Sequence, residues 1–134
     1  MKRTYIDANV LIEAFRGKAS ALAMAILEDP NRQLIVSEFL RLETIPHPSY
    51  HKQKREVGFM ESVFAKAEEQ LKVTSEVVEQ TFLLAQQYDL DAVDSLHVGS
   101  ALLAKVDEFI TLEKPSKPMF RVKELQIVNL YGQG

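Results

Sequence analysis

The stretch Arg3-Thr4-Tyr5-Ile6-Asp7-Ala8-Asn9-Val10-Leu11-Ile12-Glu13-Ala14-Phe15-Arg16 decides the reading of the fold. Residues 3–7 are largely β-branched or aromatic and end in a carboxylate, which reads as a strand. From Asn9 the spacing changes: Val10, Leu11, Ala14 and Phe15 recur at helical intervals, and Gly17 follows as a stop. A strand that passes through an aspartate into a helix is the opening of a β–α unit. Parallel strands need such crossover helices, so the same alternation is expected to repeat along the chain.

It repeats. Residues 19–28 read as a second helix with Leu22, Ala23, Ile26 and Leu27 on one face, and Asp29-Pro30-Asn31 is a turn. Residues 34–36 form a short buried strand. Ser37 is suited to cap a helix running to about Ile45, which Pro46 and Pro48 end. Val57, Met60, Phe64 and Ala67 mark an amphipathic helix over 52–69, whose stripe serves a core or a partner equally well. A brief strand at 71–73 precedes a helix over 76–88 capped by Ser75. Asp91 caps a helix over 92–105, expected to be buried because Val93, Leu96, Val98, Ala101, Leu102 and Leu103 make it apolar almost all round. Strands at 109–112 and 126–130 complete the set, with no internal repeat, low-complexity tract or dividing linker. The expectation is a single α/β domain over residues 1–134: a three-layer α/β/α sandwich with a central parallel sheet of about five strands.

Composition bounds the chemistry. The chain has 134 residues, 46% of them apolar, enough to close a core, and no cysteine. Disulfides, thiolate metal sites, redox pairs and a cysteine nucleophile are thereby excluded. No apolar run approaches the ~20 residues of a membrane span. No signal-like stretch develops before Asp7, so a cytoplasmic protein without membrane association is expected. The net charge of −3 argues against a generally basic coat, but the charge is uneven. Residues 47–55, HPSYHKQKR, carry Lys52, Lys54 and Arg55 beside His47 and His51 and no acid. Residues 114–123, KPSKPMFRVK, carry Lys114 and Lys117 and again no acid. These strips are candidates for nucleic-acid phosphates; solvated lysines on a loop and a helix start are the plainer reading.

Acids sit where such a sheet would place a site. Ligands of open parallel sheets bind beyond the carboxyl ends of the strands. Asp7 ends the first strand and Glu113 follows the strand at 109–112. Glu43 lies in the helix after the second strand, and Asp94 near the start of the buried helix. If these four carboxylates converge, their pKa values rise or cations stand between them. With no cysteine and 3 histidines, Mg²⁺ or Mn²⁺ is the natural choice, an ion that activates water and stabilises charge on a phosphodiester. Singly, Asp7 is also a plausible helix cap and Glu43 a surface residue. Asn9 either orients Asp7 or caps the helix. Thr111, on the strand face shared with Glu113, orients a carboxylate or is a plain β-branched residue. Asp91 is a supplementary acid or, preferably, an N-cap, and His97 reads as a hydrogen-bonded core histidine.

Residues 5–12, YIDANVLI, resemble the opening of PIN domains: an apolar strand, Asp-x-Asn, then a short apolar helix. Residues 36–43 (VSEFLRLE), 90–97 (LDAVDSLH) and 107–113 (DEFITLE) resemble the family's later blocks with similar spacing over nearly the whole chain. The resemblance implies a metal-dependent ribonuclease of the VapC-like toxin kind, hydrolysing RNA phosphodiester bonds. Asp7, Glu43 and Asp94 would be its catalytic, metal-binding acids. The fourth acid falls on Glu113, where the family usually has aspartate; the extra methylene moves the carboxylate by ~1.5 Å. Residues 114–118 also depart from the family's usual continuation. RNA, an antitoxin protein and a second copy of the chain are the implied partners. The alternative is a catalytically weakened PIN-like domain that binds RNA or protein without cutting. A phosphatase of the haloacid-dehalogenase type also opens with a strand and an Asp, but it needs a second carboxylate at the place of Asn9 as general acid.

Overall fold

Successive side chains of a strand point to opposite faces, and here both faces are apolar, so each needs its own cover of helices. A computed structural model describes residues 1–133. In chain order the elements are β1 (Lys2–Ile6), α1 (Ala8–Arg16), α2 (Ser20–Leu27), β2 (Arg32–Ser37), α3 (Glu38–Thr44), α4 (Pro46–Tyr50), α5 (Lys54–Lys66) and β3 (Glu69–Leu71). They continue with α6 (Ser75–Tyr88), α7 (Ala92–Leu103), β4 (Glu108–Thr111) and β5 (Ile127–Asn129). The strands form one five-stranded sheet in the order β3-β2-β1-β4-β5, and every pairing is parallel. The chain starts at the centre, builds out through β2 to β3, then crosses back to β4. The strand order therefore reverses between β1 and β4, the kind of crevice where α/β sheets take ligands.

The three layers follow from strand parity. Ile6, Leu34, Val36 and Ile110 face α1, α2, α3 and α5, packing with Val10, Leu11, Leu40, Met60 and Phe64. Tyr5, Ile35 and Phe109 face the other way, toward Leu84 of α6, Val98 and Ala101 of α7, and Met119. Gly99 sets how closely α6 and α7 approach, since a Cβ there would lie 2.6 Å from Thr81 Oγ1. Among the described residues no helix is long and apolar enough to cross a membrane.

The α/β/α sandwich and its five parallel strands are as expected, and the departures are local. Pro46 does not merely end α3; it opens α4 as its first residue, where a missing N–H costs nothing. Thr74, not Ser75, caps α6, its hydroxyl accepting from the Val77 N–H at 3.2 Å. β3 lies two residues upstream of the expected 71–73. α5 buries Glu56, Met60, Val63 and Phe64, a stripe rotated from the expected one, and Glu56 pairs with Arg16 at 3.1 Å. α7 is buried along Ser95, His97, Val98, Gly99, Ser100 and Ala101, while Val93 is exposed.

Candidate active site

At the carboxyl edge of the sheet the β1–β4 ladder runs one residue further, the Asp7 N–H donating to the Ile110 carbonyl at 3.0 Å. Asp7 then caps α1, its Oδ1 accepting from the Ala8 N–H at 2.8 Å. Its Oδ2 accepts from the Thr111 hydroxyl, also at 2.8 Å. Thr111 Oγ1 in turn accepts from the Glu113 N–H at 3.0 Å and the Asn9 amide at 3.4 Å. The Asn9 carbonyl takes the Leu112 N–H at 3.0 Å. Asn9 and Thr111 thus tie the exit of β4 to the start of α1 and hold Asp7 between them. Asp7 is buried, and burial is the main force raising its carboxyl pKa. His97, Thr111 and the Ala8 N–H act the other way without cancelling that rise, to which the Glu43 charge adds.

The start of α7 brings the next acid. Asp91 caps this helix, its Oδ1 accepting from the Asp94 N–H at 2.8 Å. Asp94 is half-buried, and its carboxyl is pushed up to about 6, by burial first and then by the negative charges of Asp91, Asp7 and Glu113. Lys117 offsets part of this and lies 3.8 Å from Glu113. Burial is thus the first cause for both Asp7 and Asp94, with neighbouring carboxylate charges adding to it.

Glu43 arrives from α3 and bonds through Oε1 to Nε2 of His97. Behind it, His97 Nδ1 is 2.6 Å from the Tyr5 hydroxyl, which is 2.7 Å from the Ser37 hydroxyl. Ser37 also caps α3 through the Leu40 N–H at 3.0 Å. Tyr5 and His97 are fully buried. Burial above all, with the charges of Asp7 and Glu43, raises the Tyr5 phenol despite its bond to Ser37, so it stays protonated.

The donor set is carboxylate oxygen backed by a hydroxyl and an amide, the chemistry of a hard divalent cation. Among the described residues no three His, Asp or Glu side chains form a closed metal-ligand group. Asp7 is held by Thr111, Glu43 by His97, and Glu113 leans on Lys117. The oxygen donors are nonetheless of the type that suits such a cation, which would offset the carboxylate charges that add to burial in lifting Asp94.

The PIN domain family model matches residues 4–114, a span that takes in Asp7, Glu43, Asp94 and Glu113. The chain belongs to the PIN domain family. A search of curated proteins finds no match to this sequence. Among solved structures, this PIN domain is similar to a chain of a toxin–antitoxin complex from Klebsiella pneumoniae. The two share 21% identity at a TM-score of 0.73, over 96% of this chain and 98% of that one. It is also similar to a chain of VapBC2 from Rickettsia felis bound to a promoter DNA fragment, with 12% identity, TM-score 0.72, and 95% and 98% coverage. VapBC-1 from nontypeable Haemophilus influenzae gives 17% identity, TM-score 0.72, and 96% and 98% coverage. These likenesses concern the fold.

The PIN domain separates the two basic strips. Lys114 and Lys117 follow β4 directly, and Lys117 stands beside Glu113 at the acid edge. Lys54 and Arg55 flank a hollow with Phe15 and Arg16 at the far end of α1, roughly 12 Å of helix from Asp7. Lys52 is exposed at the turn before α5, with a φ of 56°. The residue that sequence reading left out is Tyr5. Its signal was available: it lies two positions before Asp7 on β1, so both side chains leave the same face of the sheet.

Proposed function

We propose that this chain is a divalent-metal-dependent endoribonuclease of the VapC-like toxin type, acting on RNA in the cytoplasm and restrained by an antitoxin protein. The observation that carries the reading is the carboxyl edge of the sheet. There burial first, and then the charges of Asp91, Asp7 and Glu113, push Asp94 up to about 6 at the β1–β4 crevice. Membership of the PIN domain family and the described partners of its structural relatives, which are toxin–antitoxin and VapBC complexes, support it.

In this reading Asp7, Glu43, Asp94 and Glu113 hold Mg²⁺ or Mn²⁺. When bound, the ion supplies polarisation of a water and neutralises charge that builds on the phosphodiester. Thr111 and Asn9 fix the Asp7 carboxylate so that it reorganises little. Asp91 holds the first turn of α7 and with it the backbone of Asp94. Lys114 and Lys117, next to the acids, receive the RNA backbone through its phosphates and confer little sequence preference. Lys52, Lys54 and Arg55, further off, extend that path only for a longer strand. Exposed Val78, Phe82, Leu83 and Val93 on α6 and α7 offer apolar surface to a protein partner, and a homodimer is part of the reading.

A fluorogenic single-stranded RNA, titrated with Mg²⁺ and Mn²⁺, tests it. Cleavage should appear with either ion, vanish with chelator and be absent in Asp7→Asn. An intact RNA at every ion concentration, with binding retained, would leave the non-cutting RNA- or protein-binding module instead.

A further inference from the structure

The buried path behind Glu43 has no part in that scheme, yet its hydrogen bonds run in one direction. An ionised Glu43 has no proton to give, so His97 Nε2 is the donor to it. A neutral imidazole protonated there accepts at Nδ1, which makes Tyr5 the donor across 2.6 Å. Ser37 then donates to Tyr5 across 2.7 Å, while its own oxygen takes the Leu40 N–H at 3.0 Å. In this sense every hydroxyl proton on the path has an acceptor. Reversed, the Ser37 proton would have none among the described residues. The imidazole is also held sideways, its ring 5.6 Å from that of Tyr5 and 5.0 Å from that of Phe39. Phe39 and Glu43 are four residues apart on α3, so one helix face both packs against the ring and receives its proton.

We propose that His97 is a positioning residue that ties one oxygen of Glu43, confines this carboxylate to one-oxygen ligation, and so selects a small six-coordinate ion over Ca²⁺. The inference rests on the metal-dependent reading of the site. Its physical basis is that Ca²⁺ accepts bidentate carboxylates at higher coordination number, whereas Mg²⁺ demands near-octahedral single-oxygen donors. A hydrogen-bonded ligand is also pre-oriented and loses less rotamer freedom when the ion arrives.

Calorimetric titration of the whole chain with Mn²⁺ and with Ca²⁺ tests it without reference to cleavage. The unaltered protein should prefer Mn²⁺. In His97→Leu, which removes the donor, the Mn²⁺/Ca²⁺ affinity ratio should fall by roughly tenfold. His97→Gln, whose amide nitrogen reaches where Nε2 does, should recover much of that ratio, and Tyr5→Phe should lie between. Nitrogen-15 imidazole spectra of the ion-free protein should show the His97 proton on Nε2. A folded His97→Leu with the original ratio, or a proton found on Nδ1, overturns the proposal; if His97→Leu does not fold, Tyr5→Phe decides by the same ratio. A protein that binds neither ion overturns the nuclease reading as well, whereas Mn²⁺ binding with an insensitive ratio overturns this inference alone.

Discussion

The amino and carboxyl edges of one parallel sheet hold acids under opposite conditions. At the amino edge, Glu108 of β4 accepts from the Thr4 hydroxyl at 2.6 Å and from Arg32 Nε at 2.9 Å, with Lys2 Nζ at 3.6 Å. Arg32 also meets Asp29 at 3.0 Å. On the other face Arg3 reaches Glu69 at 2.8 Å, while its backbone N–H donates to Asp107 at 2.8 Å. Burial works to raise the Glu108 pKa, but Thr4, Arg32 and Lys2 together outweigh it and hold the carboxyl below its ordinary 4.5. At the carboxyl edge, Asp7, Asp94, Glu43 and Glu113 share His97 and Lys117, and Asp7 and Asp94 are both raised. The acids are thus compensated more fully at the amino edge than at the carboxyl edge, and in the proposed reading the second edge is kept for a charge that comes from outside.

The sharpest test of the contrast is Asp94→Asn. RNA cleavage should fall by more than the ~100-fold that loss of an outer partner of a metal ligand can cost. In thermal melts without divalent ions at neutral pH, the same variant should be at least as stable as the parent. A stability loss would mean that Asp94 is held by partners as Glu108 is. Glu108→Ala should do the reverse: cleavage at low temperature unchanged, stability lower by on the order of 3 kcal/mol because Arg32 loses its buried partner. Chemical denaturation measures that cost.

The two edges should also respond to pH with opposite sign. Glu108 is lowered, so its contribution is complete above 4.5 and is lost as pH falls through its folded value. Asp94 is raised from 3.8 to about 6, so its cost is absent at lower pH and grows as pH rises through that window. Melting curves from pH 3.5 to 7 should therefore show Asp94→Asn gaining on the parent toward neutrality, a gain that added Mn²⁺ erases. Equal behaviour of the two proteins across that range would remove the case for crowding. The smallest effect is expected from Thr111→Val, which strips a hydroxyl from Asp7 and leaves the Glu113 N–H without its acceptor. It should cost about 1–2 kcal/mol of stability and a few-fold in cleavage.

The elements were legible because each rests on a local pattern. The run from Arg3 to Asp7 and the helical spacing after it are complete within one stretch, and both appear as β1 and α1. Boundaries were less so: Pro46 reads as a stop, yet it is the first residue of α4, in which Pro48 is buried. For the candidate site, Asp7, Glu113 and Asp94 were visible at strand ends and a helix start, and Glu43 within the helix after β2. Their surroundings were not, since Lys117 reads as a free cation until Glu113 is found beside it. His97 was rightly placed in the core as a hydrogen-bonded histidine, while its partners stayed out of sight.

Periodicity, caps and turns acted over a few residues, so the chain alone determined an alternation of strands and helices, a parallel sheet and acids at its carboxyl edge. Which side chains meet was left to the strand order β3-β2-β1-β4-β5. Tyr5 is 32 positions from Ser37 and 92 from His97, and His97 is 54 from Glu43. No local rule spans such distances. Hydrogen bonds and charges act through space, and only the packing of α3 and α7 against the central strands brings these groups within their reach.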